Sequence, residues 1–257
     1  MKNDEILFSQ LKREGETVDD LLDGRLKIFQ KEKGYRFSVD TLLLSHFIPL
    51  KRKDRVVDLG TGSGIIPLIL AYRFESITVV GVEIQEELVD MARRSIKLNG
   101  LESRIDVYYG DVRKIKDLLD PQSFNVAVFN PPYRKLNSGR VNPYEGKAVA
   151  RHEIRGSLGD FLISAKYLLK NKGAVYVIYP ARRGAELFFR MRNNHIEPKR
   201  IQIVHSNSSS SAEFILVEGI KNGGEELNVM PPLFIYGENG RYSWEMENIF
   251  REIVKRL

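Results

Sequence analysis

Residues 56 to 71 read Val56-Val57-Asp58-Leu59-Gly60-Thr61-Gly62-Ser63-Gly64-Ile65-Ile66-Pro67-Leu68-Ile69-Leu70-Ala71. A short β-branched run, a glycine-rich turn and a wholly apolar segment spell strand, loop and buried helix, the opening half of an α/β sheet unit. Glycines at 60, 62 and 64 let the backbone take positive φ and come close to a ligand. Their spacing is G-x-G-x-G, not the G-x-G-x-x-G that cradles a dinucleotide pyrophosphate. Asp58 at the strand end would repel a pyrophosphate but suits a cationic amine.

The next apolar run, Ile77-Thr78-Val79-Val80-Gly81-Val82, ends on Glu83. A carboxylate at the tip of the second strand of such a sheet is placed to accept hydrogen bonds from ribose hydroxyls. A ribose ligand that carries an amine and no phosphate points to S-adenosylmethionine, and so to methyl transfer. Taken singly, each piece has a plainer reading: glycine turns are common, and an acid after a strand often caps the following helix. Together, in this order, they are hard to obtain by chance.

A third element lies downstream, where the run Phe124-Asn125-Val126-Ala127-Val128-Phe129 delivers Asn130-Pro131-Pro132-Tyr133. Two consecutive prolines lock φ and remove two backbone donors. On its own a Pro-Pro pair after a strand marks only a turn. Here it leaves a cluster of acceptors, the Asn130 side-chain oxygen and the Pro131 carbonyl, with Tyr133 available to stack on a ring. That cluster suits a planar amino group that must be held and oriented.

These residues resemble the class I S-adenosylmethionine-dependent methyltransferases. The glycine loop with Asp58, Gly60, Thr61, Gly62 and Gly64 matches the first motif of that class. Glu83 with Ile84 matches the second, Gly110-Asp111 with Val112 the third, and Asn130 to Tyr133 the fourth. The resemblance implies that Asp111 holds the adenine amino group of the cofactor. It implies that the acceptor is a planar nitrogen: an adenine or guanine exocyclic amine, or a glutamine amide.

A closer resemblance, to the bacterial valine-tRNA adenine-N6 methyltransferases, runs over nearly the whole chain. It is carried by Gly34-Tyr35-Arg36-Phe37-Ser38-Val39-Asp40-Thr41-Leu42-Leu43-Leu44-Ser45-His46-Phe47, by Ala150-Arg151-His152-Glu153, and by Leu216-Val217-Glu218-Gly219 and Pro231-Pro232-Leu233-Phe234-Ile235-Tyr236. That family methylates N6 of the adenine beside the anticodon in one valine tRNA, so the implied partner is a tRNA anticodon stem-loop. Two other acceptors share the tetrad, a release-factor glutamine (N5) and a ribosomal-RNA guanine (N2). The glutamine enzymes carry a larger helical N-terminal domain than about fifty residues allow.

Composition agrees. The 257 residues fit one α/β domain with decorations. With no cysteine there is no disulfide framework, thiolate metal site or cysteine nucleophile, and no metal is expected. No apolar run approaches the roughly 20 residues needed to span a bilayer, and Met1-Lys2-Asn3-Asp4-Glu5 is no signal peptide. A cytoplasmic enzyme is expected, away from membranes, with a monomer favoured. A net charge of +6 and a pI near 9.3 favour a polyanionic partner.

The expected fold is a Rossmann-like α/β sheet of seven mostly parallel strands, the last one antiparallel. Residues 1–50 form an N-terminal cap, 51–220 the cofactor-binding core and 221–257 a C-terminal extension of the same domain. The cap is read as a hairpin pairing Leu26–Phe29 with Tyr35–Phe37, then a helix over Val39–Phe47. Strands are predicted at 56–59, 78–83, 105–109, 124–129, 174–179, about 200–204 and 213–218. A helix begins at Leu158, its apolar stripe running through Phe161, Leu162, Ala165, Leu168 and Leu169, and is expected to stop at Asn171-Lys172-Gly173, where glycine suits a helix C-terminus.

The interval from Arg134 to Gly156 lacks periodicity and is rich in cations, among them Arg134, Lys135 and Arg151. A loop this long is usually functional or disordered, and it is expected to order over RNA. Arg182-Arg183 and Lys199-Arg200 extend the basic surface in this reading, while Lys51-Arg52-Lys53 is solvated. Phe37 offers a second apolar wall for the target base, or is core. Asp40 holds the methionine end of the cofactor, or caps a helix.

Overall fold

The computed structural model describes residues 11–32, 39–131 and 156–255. It opens with a hairpin of β1 (Glu16–Leu21) and β2 (Leu26–Lys31). Among the described residues β2 pairs with β1, upstream of it; Tyr35–Phe37, expected to pair with Leu26–Phe29, lie outside the described residues. The turn is built by Leu22, Asp23 and Gly24, all at positive φ, and an Asp-Gly pair tolerates that conformation well. The outer edge of β2 is covered by the helix α3 (Glu86–Leu98): Ser95 Oγ accepts from Phe29 N–H at 3.0 Å, and Asn99 bridges both backbone groups of Lys27. Arg94 on the same helix grips Glu16 through two guanidinium nitrogens, at 2.6 and 2.8 Å.

After α1 (Val39–Phe47) come β3 (Arg55–Leu59), α2 (Ile65–Arg73), β4 (Thr78–Glu83), α3, β5 (Ile105–Tyr109) and β6 (Phe124–Phe129). They are followed by α4 (Leu158–Leu168), β7 (Leu169–Pro180), α5 (Gly184–Asn193), β8 (Ile196–His205) and β9 (Ala212–Lys221). The strand order is β5-β4-β3-β6-β7-β9-β8, all parallel except β9, which runs against both of its neighbours. This is the seven-stranded sheet read from the sequence. Two further strands of two residues each, β10 (Asn228–Val229) and β11 (Leu233–Phe234), extend it along β8.

The central strands are apolar on both faces because both faces are covered by helices. Val56, Val126 and Val128 pack among α1, α2, α3 and α6 (Trp244–Ile253), while Val57, Ala127 and Phe129 pack among α4 and α5. The C-terminal segment therefore belongs to the sheet. Met246, Ile249 and Ile253 are buried in the first layer, and His46 of α1 meets Glu252 at 2.8 Å.

Two expectations are corrected. Helix α4 stops at Leu168 and turns directly into β7, so Gly173 is not its cap. Gly173 instead sits where a Cβ would lie 3.0 Å from the carbonyl oxygens of Asn125 and Lys170, at the irregularity where β7 joins β6. Arg200 is not a free surface cation. Strand register places it opposite Glu218, which accepts from its Nε at 2.7 Å, and its guanidinium lies 4.0 Å from the centre of the Phe47 ring. Arg183 is likewise tied to Glu186, over the Tyr179 ring. Lys51 to Lys53 are exposed, as read.

Candidate active site

In a parallel sheet the carboxyl ends of all strands open on one edge, and ligands bind there. Four neighbouring strands, β5, β4, β3 and β6, deliver to that edge the segments singled out in the sequence: Gly110-Asp111, Glu83-Ile84, Gly60 to Gly64, and Asn130-Pro131.

The glycine loop folds back on β4. Gly60 N–H and Thr61 N–H both donate to the Val82 carbonyl, at 2.8 and 3.1 Å. Gly62, at φ +60, turns its N–H onto Glu83 Oε2 at 3.0 Å, and a Cβ there would meet no atom of the described residues within 4 Å. Gly81 on β4 is required for a different reason, since its Cβ would stand 2.8 Å from the Thr61 methyl. The other Glu83 oxygen accepts from the backbone and side-chain N–H groups of Gln85, at 3.0 and 3.1 Å. Glu83 is thus a buried carboxylate held rigid by three donors at the end of β4. Gln85 was not singled out in the sequence, where nothing marks it beyond its place between strand and helix.

Asp58 is buried, and neither of its oxygens nor the Thr61 hydroxyl has a hydrogen-bond partner among the described residues. A buried polar group in this state implies a ligand or water that completes it. Burial pushes the Asp58 carboxyl up to about 7; the Thr61 hydroxyl, close to it but outside hydrogen-bond geometry, opposes the rise, and the Glu83 charge adds to it. An Asp at about 3.9 when unfolded then binds an extra proton in the folded state between those values. Folding stability contributed by Asp58 therefore falls as pH climbs from about 4 to 7 and is flat above. Asp58→Asn should remove that slope. Urea unfolding of both proteins across this range checks it; identical pH profiles would refute the shift.

Asp111 follows β5 and caps the short 3-10 turn Val112–Asp117, accepting from Arg113 N–H at 2.9 Å. The Arg113 guanidinium lies on the same carboxylate and holds its pKa below the ordinary range. Arg113 carried no signal in the sequence. Val112 is buried, its carbonyl accepting from Ser164 Oγ of α4 at 2.6 Å, and Ile84 is half-buried.

Asn130 leaves β6 directly after the buried Phe129, whose ring packs 5.5 Å from that of Phe161. Its side-chain N–H donates to Asp40 Oδ2 at 3.0 Å, bringing the first turn of α1 into the site. Asp40 is buried, and its other oxygen accepts from Thr41 N–H at 2.7 Å. Pro131 is buried. Phe37, Pro132, Tyr133, Arg134, Lys135 and Arg151 lie outside the described residues.

The orphaned Asp58 and Thr61 oxygens, the room beside Gly62 among the described residues and the Glu83 carboxylate at the end of β4 fit a ligand with a cationic amine and a ribose. Residues 36–193 match the model of a family described as methyltransferase small domain. A tRNA1(Val) (adenine(37)-N6)-methyltransferase of Actinobacillus succinogenes is 28% identical over 223 residues, covering 86% of this chain and 91% of that protein. One of the same name from Vibrio campbellii is 23% identical over 226 residues, covering 88% and 91%. In fold, the chain superimposes on a predicted O-methyltransferase of Agrobacterium tumefaciens with a TM-score of 0.69, at 22% identity, covering 85% of this chain and 98% of that one.

Proposed function

The chain belongs to the methyltransferase small-domain family, and from that premise we propose that it methylates the exocyclic N6 of an adenine in tRNA, at position 37 of a valine tRNA, as its relatives are named to do. The observation that carries this reading is Asn130 at the end of β6, on the same sheet edge as the glycine loop, Glu83 and Asp111. S-adenosyl-L-methionine is the cofactor, and when bound it supplies an electrophilic methyl group on a positively charged sulfonium. Glu83 would accept from the ribose, Asp58 and Thr61 would hold the amine, and Asp111, with Ile84 and Val112, would hold the adenine.

At the acceptor, the N6 lone pair is conjugated into the ring, so the amine is a weak nucleophile. Accepting its two hydrogens at Asn130 Oδ1 and the Pro131 carbonyl favours pyramidalisation and fixes the direction of the lone pair. Those same acceptors stabilise the positive charge that grows on nitrogen. No strong base is required, because the methylated amine becomes acidic and loses its proton late.

Tyr133 and Phe37 stack on the target base, which leaves a loop more easily than a duplex. Arg134, Lys135 and Arg151 meet phosphates of the anticodon stem-loop. In this scheme residues 1–50 cap the catalytic core of 51–220, and 221–257 complete it.

Transfer of labelled methyl to unmodified total tRNA, with nucleoside analysis of the product, tests the reading. N6-methyladenosine in a valine tRNA is expected. Label in ribosomal RNA or a release factor, with none in tRNA, would replace the acceptor.

A further inference from the structure

The contact between Asp40 and Asn130 joins residues 90 positions apart in the chain, one in the first turn of α1 and the other just past the end of β6. Asp40 stands in the first turn of α1 and is 4% exposed. One of its oxygens takes the Asn130 side-chain N–H at 3.0 Å, and the other takes the Thr41 N–H at 2.7 Å, with the Thr41 hydroxyl at 3.4 Å. The carboxylate is thus anchored to the helix on one side and to Asn130 on the other. Helix α1 is itself fixed, with its Ser45 carbonyl accepting from the buried Arg73 at 2.6 Å.

A primary amide has two ends of opposite character, and a carboxylate can only accept. Facing Asp40, Asn130 must present its NH2 group, because the flipped amide would set oxygen against oxygen. Fixing Nδ2 on Asp40 turns Oδ1 away from it. Methyl transfer to a planar amine needs that orientation, with an acceptor facing the amine hydrogens. An unrestrained Asn130 would spend part of its time offering N–H to N–H. The negative charge behind Nδ2 also polarises the amide and makes Oδ1 a better acceptor, as in hydrogen-bond chains generally.

We propose that Asp40 is a positioning residue which selects the reactive amide orientation of Asn130. This rests on the methyl-transfer reading above, and it moves Asp40 from the cofactor's methionine end to the support of the acceptor end.

The test is a series of variants of the full chain, assayed for transfer on the acceptor that the wild type labels, with cofactor affinity measured separately without acceptor. In Asp40→Ala, kcat should fall roughly 10- to 100-fold, the effect of a mispositioned reacting group, while cofactor affinity stays within about twofold. Asp40→Asn can offer its one carbonyl oxygen to Asn130 only by turning its NH2 toward the Thr41 N–H, so it should rescue part of that loss. Unchanged kcat in Asp40→Ala would overturn the proposal. So would weakened cofactor binding that Asp40→Asn fails to restore, the result expected if the charge meets the cofactor's ammonium group.

Should Asp40→Ala fail to fold, the exchange of the two residues gives the answer. Asn130→Asp alone sets two carboxylates face to face and should lose activity. Adding Asp40→Asn restores a donor-acceptor pair with an acceptor at 130, and should regain about tenfold, a coupling read from the double-mutant cycle. Simple additivity would overturn the proposal. If the wild type labels a protein amide and no RNA, the tRNA reading fails, while the Asp40 series still decides on that acceptor.

Discussion

Asn130→Ala is expected to lower single-turnover methyl transfer by about 100- to 1,000-fold, the usual loss when one oriented polar group is removed from a reacting centre. The side chain reaches the site from a strand end that is rigidly packed: Phe129 is fully buried, its ring tilted against that of Phe161. Removing the amide deletes an acceptor for the amine and leaves the glycine loop and Glu83 untouched, so cofactor affinity should hardly change. The substitution also strips the Asp40 carboxylate of a donor, at a stability cost of about 1–3 kcal/mol. Thermal unfolding should therefore accompany the rate measurement, at a temperature where the variant is fully folded. Turnover close to wild type would end the role given to Asn130.

The second large effect is expected at Glu83, and it falls on binding. Glu83→Ala should weaken S-adenosylmethionine about 100-fold, the combined loss of two hydrogen bonds worth about 1–1.5 kcal/mol each. The carboxylate does two things: it offers acceptors to the ribose, and it holds Gly62 N–H and both Gln85 donors. Without it the loop keeps the Gly60 and Thr61 bonds to Val82 but loses the one at Gly62. Glu83→Gln retains one acceptor oxygen and should fall between the two. Removing the charge also removes one of the causes that raise Asp58, so the Asp58 carboxyl should titrate lower in Glu83→Ala. Calorimetric titration of the cofactor checks the first expectation. An affinity within about twofold of wild type would exclude Glu83 from the ribose site.

The contrast between the two variants is informative because the residues sit on neighbouring parts of one edge. One is expected to change kcat with little effect on the cofactor, and the other the reverse. A shared loss in both quantities would mean that the edge unravels as a unit.

The sheet was legible because its signals are local. Thr78–Glu83, Ile105–Tyr109 and Phe124–Phe129 are short apolar runs bounded by polar or glycine residues, and each is a strand with the expected ends. The glycine loop was legible because positive φ and close approach both demand glycine, and Gly60, Gly62 and Gly64 all take positive φ. Where the local signal was ambiguous, longer-range contacts decided. Leu26–Lys31 can pair with a strand on either side, and the Asp23-Gly24 turn brings Glu16–Leu21 against it. Gly173 resembles a helix cap in the sequence, yet the pairing of β7 with β6 begins before it, at Leu169.

What the sequence by itself determined is the order of strands and helices, the glycine loop, and which residues stand at strand ends, since all of these follow from backbone preference and apolar period over a few residues. Only the tertiary structure decided which side chains face each other there. Asp40 meets Asn130, Gln85 and Gly62 converge on Glu83, Arg113 covers Asp111, and Arg200 is drawn from the surface to Glu218. Hydrogen bonds and desolvation act through space, so the raised carboxyl of Asp58 and the fixed amide of Asn130 arise from neighbours that the chain brings together only by folding.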